Sequence, residues 1–299
     1  MTPLLLALAM TLSPPPAAPP PGFSETDFQT WVEKRESGLR KPDSWLSLVG
    51  LVWLEPGTHS VGSDAAAHYQ LSTGPASLGT LTLDQDKAVW FSAAAAQDLT
   101  LDGQPLASAQ RVRLTSDAEG ATPSKLGFGS AHFILIERSG KLALRVKDAE
   151  APTLTGFTGN PRFPFAPSWV VTARWEAFAE PQMIEIASVI GTVDALPSTG
   201  KAHFTIDGRA FTLQPTLEGD QLFFVFGDRT NGKDTYGMAR YLYSKVSEDG
   251  KSVVIDFNRA YNPPCVYTPY ATCPLPTAEN RLDLYVHAGE KKYVGPGTH

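Results

Sequence analysis

The densest group of residues that could do chemistry lies in a Pro-rich segment near the C-terminus, Asp256-Phe-Asn-Arg-Ala-Tyr-Asn-Pro-Pro-Cys265. The segment combines a carboxylate, two amides, a guanidinium and a phenol, and alternate side chains of an extended chain point to one face. Such groups bind polar ligands, for example a sugar or a carboxylate, and Arg259 can hold two oxygens at once. The segment therefore predicts a polar ligand site.

Two further segments carry residues for the same cleft. Glu279-Asn-Arg281 follows the cysteine loop, and a Gly-containing loop at residues 228–237 leads to Arg240. Two carboxylates about 5 to 9 Å apart can serve as general acid and base in glycoside hydrolysis, which makes Asp256 and Glu279 candidate catalytic residues. The ligand-binding candidates are Asp228, Arg240, Asn258, Arg259, Tyr261, Asn262, Asn280 and Arg281.

A structural role also fits these residues. Asp256 and Arg259 can pair with their neighbours to satisfy buried backbone groups in an irregular loop, and Pro263 and Pro264 remove two backbone donors. The loop at Asp228 is similar to a calcium-binding loop, but it lacks the full oxygen pattern and a distal bidentate Glu. We therefore predict a tight turn there, and the choice between ligand site and scaffold stays open.

Cys265 and Cys273 are the only cysteines of the chain. A disulfide would close a loop of about nine residues and stabilise the fold by roughly 2 to 3 kcal/mol. Reduced packed thiols, a metal ligand and a nucleophile are the alternatives, and a nucleophile would need a distant base, for which His132 is the candidate. Neither the cysteines nor the six histidines follow a zinc pattern, so no metal site and no cofactor is predicted.

The chain has 299 residues, of which 42% are hydrophobic and 19% charged, and it can bury a full core. The formal net charge is −6 and no Lys/Arg-rich run appears, so nucleic-acid and anionic-membrane partners are not expected. An apolar run at residues 4–12 is too short to span a bilayer as a helix. We interpret residues 1–22 as a signal peptide and Pro-rich linker, which predicts a periplasmic or secreted protein; a disordered cytoplasmic tail is the alternative.

Ser24-Glu-Thr-Asp27 has the capping-box pattern and precedes apolar residues at helical spacing, which predicts an amphipathic helix at residues 25–37. After Pro42, short runs rich in Val, Thr and Phe are separated by turn signals such as Asp102-Gly103 and Asp207-Gly208. No long helical pattern separates these runs, which disfavours parallel βαβ units. The predicted fold class is mainly β, an antiparallel β-sandwich or barrel with one N-terminal amphipathic helix.

A soft domain boundary falls at residues 149–167, where Pro and Gly interrupt the strand pattern. Phe157, Phe163 and Phe165 favour a packed crossover over a flexible linker. We predict a helix plus β module at residues 23–148 and a second β module at residues 149–299, and the two could form one continuous domain.

Several segments are shared with one bacterial family. They are Trp45-Leu-Ser-Leu-Val-Gly-Leu-Val-Trp-Leu-Glu-Pro-Gly57, the segment at residues 256–265, Cys273-Pro-Leu-Pro276, Asn280-Arg-Leu282 and Ala288-Gly-Glu290. On these motifs residues 28–293 resemble domain of unknown function 1684, whose biochemical role is unassigned. The resemblance implies a fold and a site, and no particular activity.

A second, weaker resemblance lies in the N-terminal half. Leu54-Glu-Pro-Gly-Thr-His-Ser-Val-Gly-Ser63 and Leu99-Thr-Leu-Asp-Gly-Gln-Pro-Leu106 are similar to the strand and turn order of forkhead-associated domains, β-sandwiches that bind phosphothreonine. Ser63 stands where that family has its phosphate-binding Arg, and no Ser-x-x-His follows. The resemblance therefore implies the sandwich without the phosphopeptide site.

Two functional hypotheses follow. The first is an exported binding protein for a polar small molecule or carbohydrate, or a hydrolase, with its cleft formed by the C-terminal segment. The second is a non-catalytic envelope β-sandwich that acts as a scaffold or interaction protein. A solvent-accessible cavity lined by the candidate residues supports the first, whereas burial and mutual pairing of those residues support the second.

Overall fold

The computed structural model describes residues 19–95, 98–120 and 122–297. This part of the chain is mainly β, with four mainly antiparallel sheets and few helices, which confirms the predicted fold class. The apolar run of the predicted signal peptide lies outside the described residues. No helix within the described ranges is long and apolar enough to cross a membrane.

Helix α1 (Glu25–Leu39) begins at the predicted cap. The backbone N–H of Asp27 donates to Ser24 Oγ (3.2 Å), and the backbone N–H of Ser24 donates to Asp27 Oδ2 (2.9 Å). The buried Phe28 ring packs on Phe165, with ring centroids 5.5 Å apart. Helix α1 thus packs against the crossover that follows the N-terminal strands.

Two sheets form the N-terminal sandwich, in the orders β1-β11-β10-β9-β6-β7 and β3-β2-β4-β5-β8. Every strand pair is antiparallel except β2 with β3. Apolar residues that alternate along the strands, such as Leu81, Phe91, Phe133 and Leu144, are buried between the sheets and form one core. The strands are β1 (Leu48–Trp53), β2 (Gly57–Gly62), β3 (Tyr69–Gln70), β4 (Gly79–Leu83), β5 (Val89–Ala93), β6 (Leu99–Leu101), β7 (Gln104–Leu106), β8 (Arg111–Leu114), β9 (Lys125–Phe128), β10 (Ala131–Arg138) and β11 (Lys141–Asp148).

The C-terminal half has a four-stranded sheet, β14-β13-β12-β18, and a three-stranded sheet, β15-β16-β17. A second core, which includes Phe204, Phe224, Ile255 and Phe257, lies between them. The strands are β12 (Val170–Ala187), β13 (Val193–Ile206), β14 (Arg209–Leu213), β15 (Thr216–Glu218), β16 (Gln221–Phe226), β17 (Arg240–Ser244) and β18 (Ser252–Asp256).

Strands β12 and β13 form a long hairpin of 18 and 14 residues. Pro181 and Gly200 favour breaks in these runs, yet a register shift between Ala177 and Gln182 accommodates the proline within one continuous ladder. A Cβ at Gly200 would lie 2.5 Å from the ring of Trp175. This glycine therefore makes room for the indole and does not end the strand.

The two cores lie on either side of the predicted boundary, and buried residues from both halves connect them. In the crossover, α2 (Pro152–Thr155) precedes Phe157, which is buried. One connecting cluster contains Leu39, Leu46, Phe157, Val266, Tyr267 and Tyr293, and a second contains Leu48, Val225, Ala239, Tyr241, Ala271 and Cys273.

Candidate ligand-binding cavity

The signature segment at residues 256–265 begins in a buried and mutually paired polar cluster. Asn258 donates from its backbone N–H and its Nδ2 to Asp256 Oδ1 (3.0 and 2.8 Å), and Arg259 Nε lies 3.1 Å from Asp256 Oδ2. The Asn258 amide also exchanges two hydrogen bonds with the backbone of Ala166. Desolvation raises the pKa of Asp256, against the hydrogen bonds from Asn258 and the charge of Arg259. These contacts fasten the segment to the crossover.

Glu290 is the centre of a second buried cluster, and its side chain is fully inaccessible. Its carboxylate accepts hydrogen bonds from Arg35 Nε (3.2 Å), Asn160 Nδ2 (3.1 Å) and the backbone N–H of Asn262 (2.7 Å). Arg35 belongs to α1, Asn160 to the crossover and Asn262 to the signature segment. One carboxylate therefore holds three distant parts of the chain together.

A third buried pair joins Arg240 to Asp228, whose Nη1 and Oδ2 atoms are 3.0 Å apart. Arg240 also donates to the carbonyl oxygens of Val286 and Ala288. The other Asp228 oxygen accepts from the backbone N–H of Thr230 (2.8 Å), which closes the tight turn that the sequence predicts. Asp228 and Arg240, both ligand candidates, are thus occupied by protein partners.

The remaining candidates lie in several places. Asn280 is buried and bonds the backbone on both sides of β15, while Glu279 and Arg281 are exposed. His132 lies on β10 of the N-terminal sandwich, where burial and then the charges of nearby lysines lower its pKa to about 4. The structure does not gather the predicted residues around one cleft.

Cys265 and Cys273 form a disulfide, with their Cα atoms 6.3 Å apart. This confirms the predicted bridge. No cysteine in the described part of the chain is free, so the alternatives of packed thiols, a cysteine nucleophile and a cysteine metal ligand were wrong. The physical reason is that Pro269 within the loop and the flanking Pro263, Pro264 and Pro274 favour a compact turn, which brings the two sulfurs together.

A cavity of about 660 Å³ lies between the two halves of the chain. The N-terminal half supplies Arg35, Trp45 and three charged residues from the β10-β11 hairpin. The C-terminal half supplies a wall of aromatic residues from β16, β17 and the signature segment. Tyr261 and Asn262 are the predicted ligand residues in its lining. The principal charged and aromatic lining residues are Glu137, Arg138, Arg145, Tyr241, Tyr243 and Tyr261.

Arg145 is the most unusual residue of this cavity. It is 8% exposed, and within the described ranges its guanidinium forms no hydrogen bond or ion pair. Its Cζ lies 5.0 Å from the ring centroid of Trp45, a cation–π contact. Burial, followed by repulsion from Arg138, lowers the pKa of Arg145 to about 10, against the attraction of the Asp117 charge, which does not form an ion pair with it. A buried cation without a partner is costly, and an anion in the cavity would offset that cost.

Aromatic rings form another wall of the cavity. Phe223 stacks on Tyr243 (ring centroids 4.7 Å apart), Tyr243 stacks on Tyr261 (6.3 Å), and Arg35 Cζ lies 4.4 Å from the Tyr261 centroid. Desolvation raises the pKa of Tyr243 and of Tyr261, so both phenols stay neutral at physiological pH. The wall therefore offers flat rings and hydroxyl groups to a ligand.

The carboxylates of the cavity already have protein partners. Glu137 lies 3.3 Å from Lys87 Nζ, Asp194 accepts from Ser139 Oγ (2.8 Å), and Glu218 accepts from the Tyr243 hydroxyl. The other two lining arginines are paired as well, Arg35 with Glu290 and Arg138 with Asp117. Arg145 is the charged lining residue left without a partner among the described residues.

Sequence reasoning missed Arg145, Trp45 and most of the tyrosine wall. Arg145 interrupts the apolar run Leu142-Ala-Leu-Arg-Val146, which the pattern predicts as a strand. A cation inside such a run was the available signal, because Arg is seldom fully buried without a partner. The approach of β11 to β17 across the cavity depends on tertiary packing.

Comparison with protein families identifies the C-terminal region. Residues 155–291, somewhat less than half of the chain, match the family described as "Protein of unknown function (DUF1684)". The match confirms the family predicted from the signature segment. The motif that begins at Trp45 lies outside the matched residues.

Two solved structures are similar to the chain. An uncharacterized protein from Haloarcula marismortui, solved by solution NMR, is 29% identical over 45% of this chain and 77% of its own, with a TM-score of 0.38. A structure of Rad53 residues 1–466 in complex with AMP-PNP is 12% identical over 73% of this chain and 49% of its own, with a TM-score of 0.18. Neither superposition supports an argument about a site. No curated protein is significantly similar in sequence.

Proposed function

We propose that the protein binds a small polar molecule that carries an anionic group, such as an acidic sugar or a comparable organic acid, in the cavity between its two halves. The observation that carries this proposal is the buried Arg145, whose guanidinium lines the cavity and forms no hydrogen bond or ion pair with described residues. A planar guanidinium binds a carboxylate through two parallel hydrogen bonds.

The tyrosine wall supports the same ligand class. The stacked rings offer flat apolar faces to the body of the molecule, and the oxygen of the Tyr243 hydroxyl, whose hydrogen is donated to Glu218, can accept a hydrogen bond from it. The cavity volume of about 660 Å³ lies within the roughly 300 to 1,000 Å³ usual for small-molecule sites. Because Glu137, Asp194 and Glu218 already bind protein groups, binding is favoured over acid-base hydrolysis.

Paired acidic and neutral compounds test the proposal, with binding measured by calorimetry. We expect glucuronate or galacturonate to bind, and glucose and galactose to bind at least tenfold more weakly, because one bidentate charged contact is worth roughly 1.5 to 3 kcal/mol. Arg145→Gln should abolish the preference for the acid. The matched control is Arg111→Gln, since Arg111 also lies over a tryptophan, Trp90 (4.6 Å), but outside the cavity.

Three outcomes would contradict the proposal. One is equal binding of the acidic and neutral sugars. Another is unchanged acid binding by Arg145→Gln, and the third is the same loss in Arg111→Gln. A thermal-shift screen of aromatic and aliphatic carboxylates extends the test beyond sugars, and absence of any acid-dependent stabilisation of the wild-type protein would refute the ligand class.

We also propose that the protein functions outside the cytoplasm. The Cys265–Cys273 disulfide supports this, because disulfides persist in oxidising compartments. The apolar run at residues 4–12 has the length of a signal-peptide core. Cell fractionation with N-terminal sequencing tests the proposal, and a cytosolic protein that retains Met1 would refute it.

The scaffold hypothesis is supported by the buried polar groups in and around the signature segment, which we call the signature cluster. Asp256, Asn258, Arg240 and Glu290 are buried and paired with protein groups. We therefore propose that this cluster fixes the position of the cavity walls. Tyr261 and Asn262 belong to the signature segment and line the cavity, so the cluster affects ligand binding through these two residues.

A further inference from the structure

A group of three side chains lies apart from both the cavity and the signature cluster, at the start of the N-terminal sandwich. We propose that Glu55, His59 and His68 bind a divalent first-row transition-metal ion of the zinc type. Their ligand atoms all lie within 4.8 Å of one another. The two imidazole rings are stacked with centroids 4.0 Å apart, and His68 Nε2 lies 3.4 Å from Glu55 Oε2.

These separations suit a tetrahedral ion. Ligands about 2.0 to 2.2 Å from a zinc ion in tetrahedral geometry lie roughly 3.3 to 3.5 Å from each other. The Glu55–His68 pair already has this spacing, and the ligand atom of His59 lies within 4.8 Å of both. His59 Nε2 lies 3.0 Å from the carbonyl oxygen of Pro56, and such a partner fixes the tautomer and leaves the other ring nitrogen to coordinate.

The backbone holds each ligand residue in place. His59 lies on β2 and pairs with Leu81 of β4, and the backbone N–H of His68 donates to Ser60 Oγ (3.0 Å). The buried Tyr69 hydroxyl accepts from the Glu55 N–H (2.8 Å) and donates to the Glu55 carbonyl oxygen (3.2 Å). The three residues are therefore positioned by strand pairing and by a buried tyrosine before an ion arrives.

The ligand set selects the class of ion. Two imidazoles and one carboxylate suit zinc, copper or nickel, whereas calcium and magnesium prefer oxygen ligands. Glu55 and His68 are exposed, so an ion can enter directly from solvent. Three protein ligands leave a fourth position for water or another small ligand, unlike a structural zinc site with four protein ligands. The six histidines are scattered in sequence, and the parallel pairing of β2 with β3 brings two of them together.

Calorimetric titration of the metal-free full-length chain with Zn²⁺ tests the site. We expect one ion per chain, weaker binding at acidic pH because imidazoles must lose their protons, and no binding of Ca²⁺ or Mg²⁺ at the same concentration. His59→Gln and His68→Gln should each weaken Zn²⁺ binding at least tenfold, the loss seen even for outer-shell partners. The matched control is His203→Gln, because His203 has one carboxylate neighbour, Glu176 (3.1 Å), and no second histidine.

Thermal melting of the same proteins gives a second readout. Zn²⁺ should raise the melting temperature of the wild-type chain and of Arg145→Gln. It should leave the melting temperature of the double variant, which combines His59→Gln and His68→Gln, unchanged. Retained zinc binding in Arg145→Gln separates this site from the cavity. Absence of one-to-one binding in the wild type, an undiminished affinity in both histidine variants, or an equal loss in His203→Gln would overturn the proposal.

Discussion

The signature cluster and the cavity wall both contain buried charged side chains, but these charges are paired in the cluster and one of them is unpaired in the wall. In the cluster, Glu290 accepts three hydrogen bonds and Arg240 meets a carboxylate and two carbonyl oxygens. Across the cavity, Arg145 is nearly as buried and has an aromatic ring as its neighbour. A buried charge that is paired with an opposite charge fixes a structure, whereas one without an ion pair is available to a ligand.

This difference explains why the density of polar residues in the sequence predicts the wrong centre for the site. An irregular, Pro-rich segment buries many backbone groups that sheet hydrogen bonds do not satisfy, so it needs polar side chains of its own. Asn258 and Asn280 serve this need by bonding backbone groups of other segments. The cavity draws its chemistry from residues that are far apart in sequence.

The largest expected effect concerns the paired charges of the signature cluster. Glu290→Gln should lower the free energy of unfolding by about 3 to 5 kcal/mol, because it leaves the Arg35 charge without a counterion in a buried setting. Urea denaturation measures the change. The control Glu279→Gln alters an exposed residue and should stay within about 0.5 kcal/mol of the wild type. Similar stability of the two variants would show that the cluster does not hold the chain together.

The sequence predicted the elements better than their assembly. The cap at Ser24 and the Asp-Gly turns depend on neighbouring residues, and the helix and hairpins appear where these signals place them. Gly289 shows what stayed hidden. Its φ is +77°, and a Cβ there would lie 2.4 Å from the Ala260 carbonyl oxygen, a close approach that no local pattern reveals. The cavity likewise depends on how two sandwiches meet.

The free energy of unfolding should also depend on pH through a buried histidine. His132, in the N-terminal sandwich, has a pKa lowered to about 4, so the unfolded chain binds a proton below about pH 6.5 that the folded chain does not. The free energy of unfolding should therefore fall by roughly 3 kcal/mol through this residue as the pH falls from about 6.5 to about 4. His132→Gln should remove that part of the acid dependence. Parallel stability curves for the variant and the wild type would contradict the prediction.

A smaller effect is expected at Arg259, which pairs with Asp256 and donates to the Gly22 carbonyl oxygen (2.6 Å). Arg259→Lys keeps the charge but loses the planar fork, and should cost roughly 1 to 3 kcal/mol. Acid binding in the cavity should not change, since Arg259 is not part of its lining. The exposed Arg281→Lys is the control. Loss of acid binding by Arg259→Lys with unchanged stability would show that Arg259 belongs to the ligand site.

The smallest expected effect has the opposite sign and concerns Arg145. Lowering its pKa to about 10 corresponds to a cost of roughly 3 kcal/mol for the charged form, and the contact with Trp45 offsets about 1 to 2 kcal/mol of it. Arg145→Met keeps most of the volume and removes the charge, so it should raise the free energy of unfolding by about 1 to 2 kcal/mol.

The ligand-free proteins should be compared by urea denaturation, with Arg111→Met as the control. Arg111 is exposed, so its replacement loses a contact with Trp90 and gains nothing from relieved burial. The same Arg145→Met protein should no longer bind acidic sugars. A stabilised variant that does not bind means that the protein keeps a costly charge for its ligand. A variant that loses more than about 1 kcal/mol means that Arg145 supports the fold, and then the two regions do not differ as we infer.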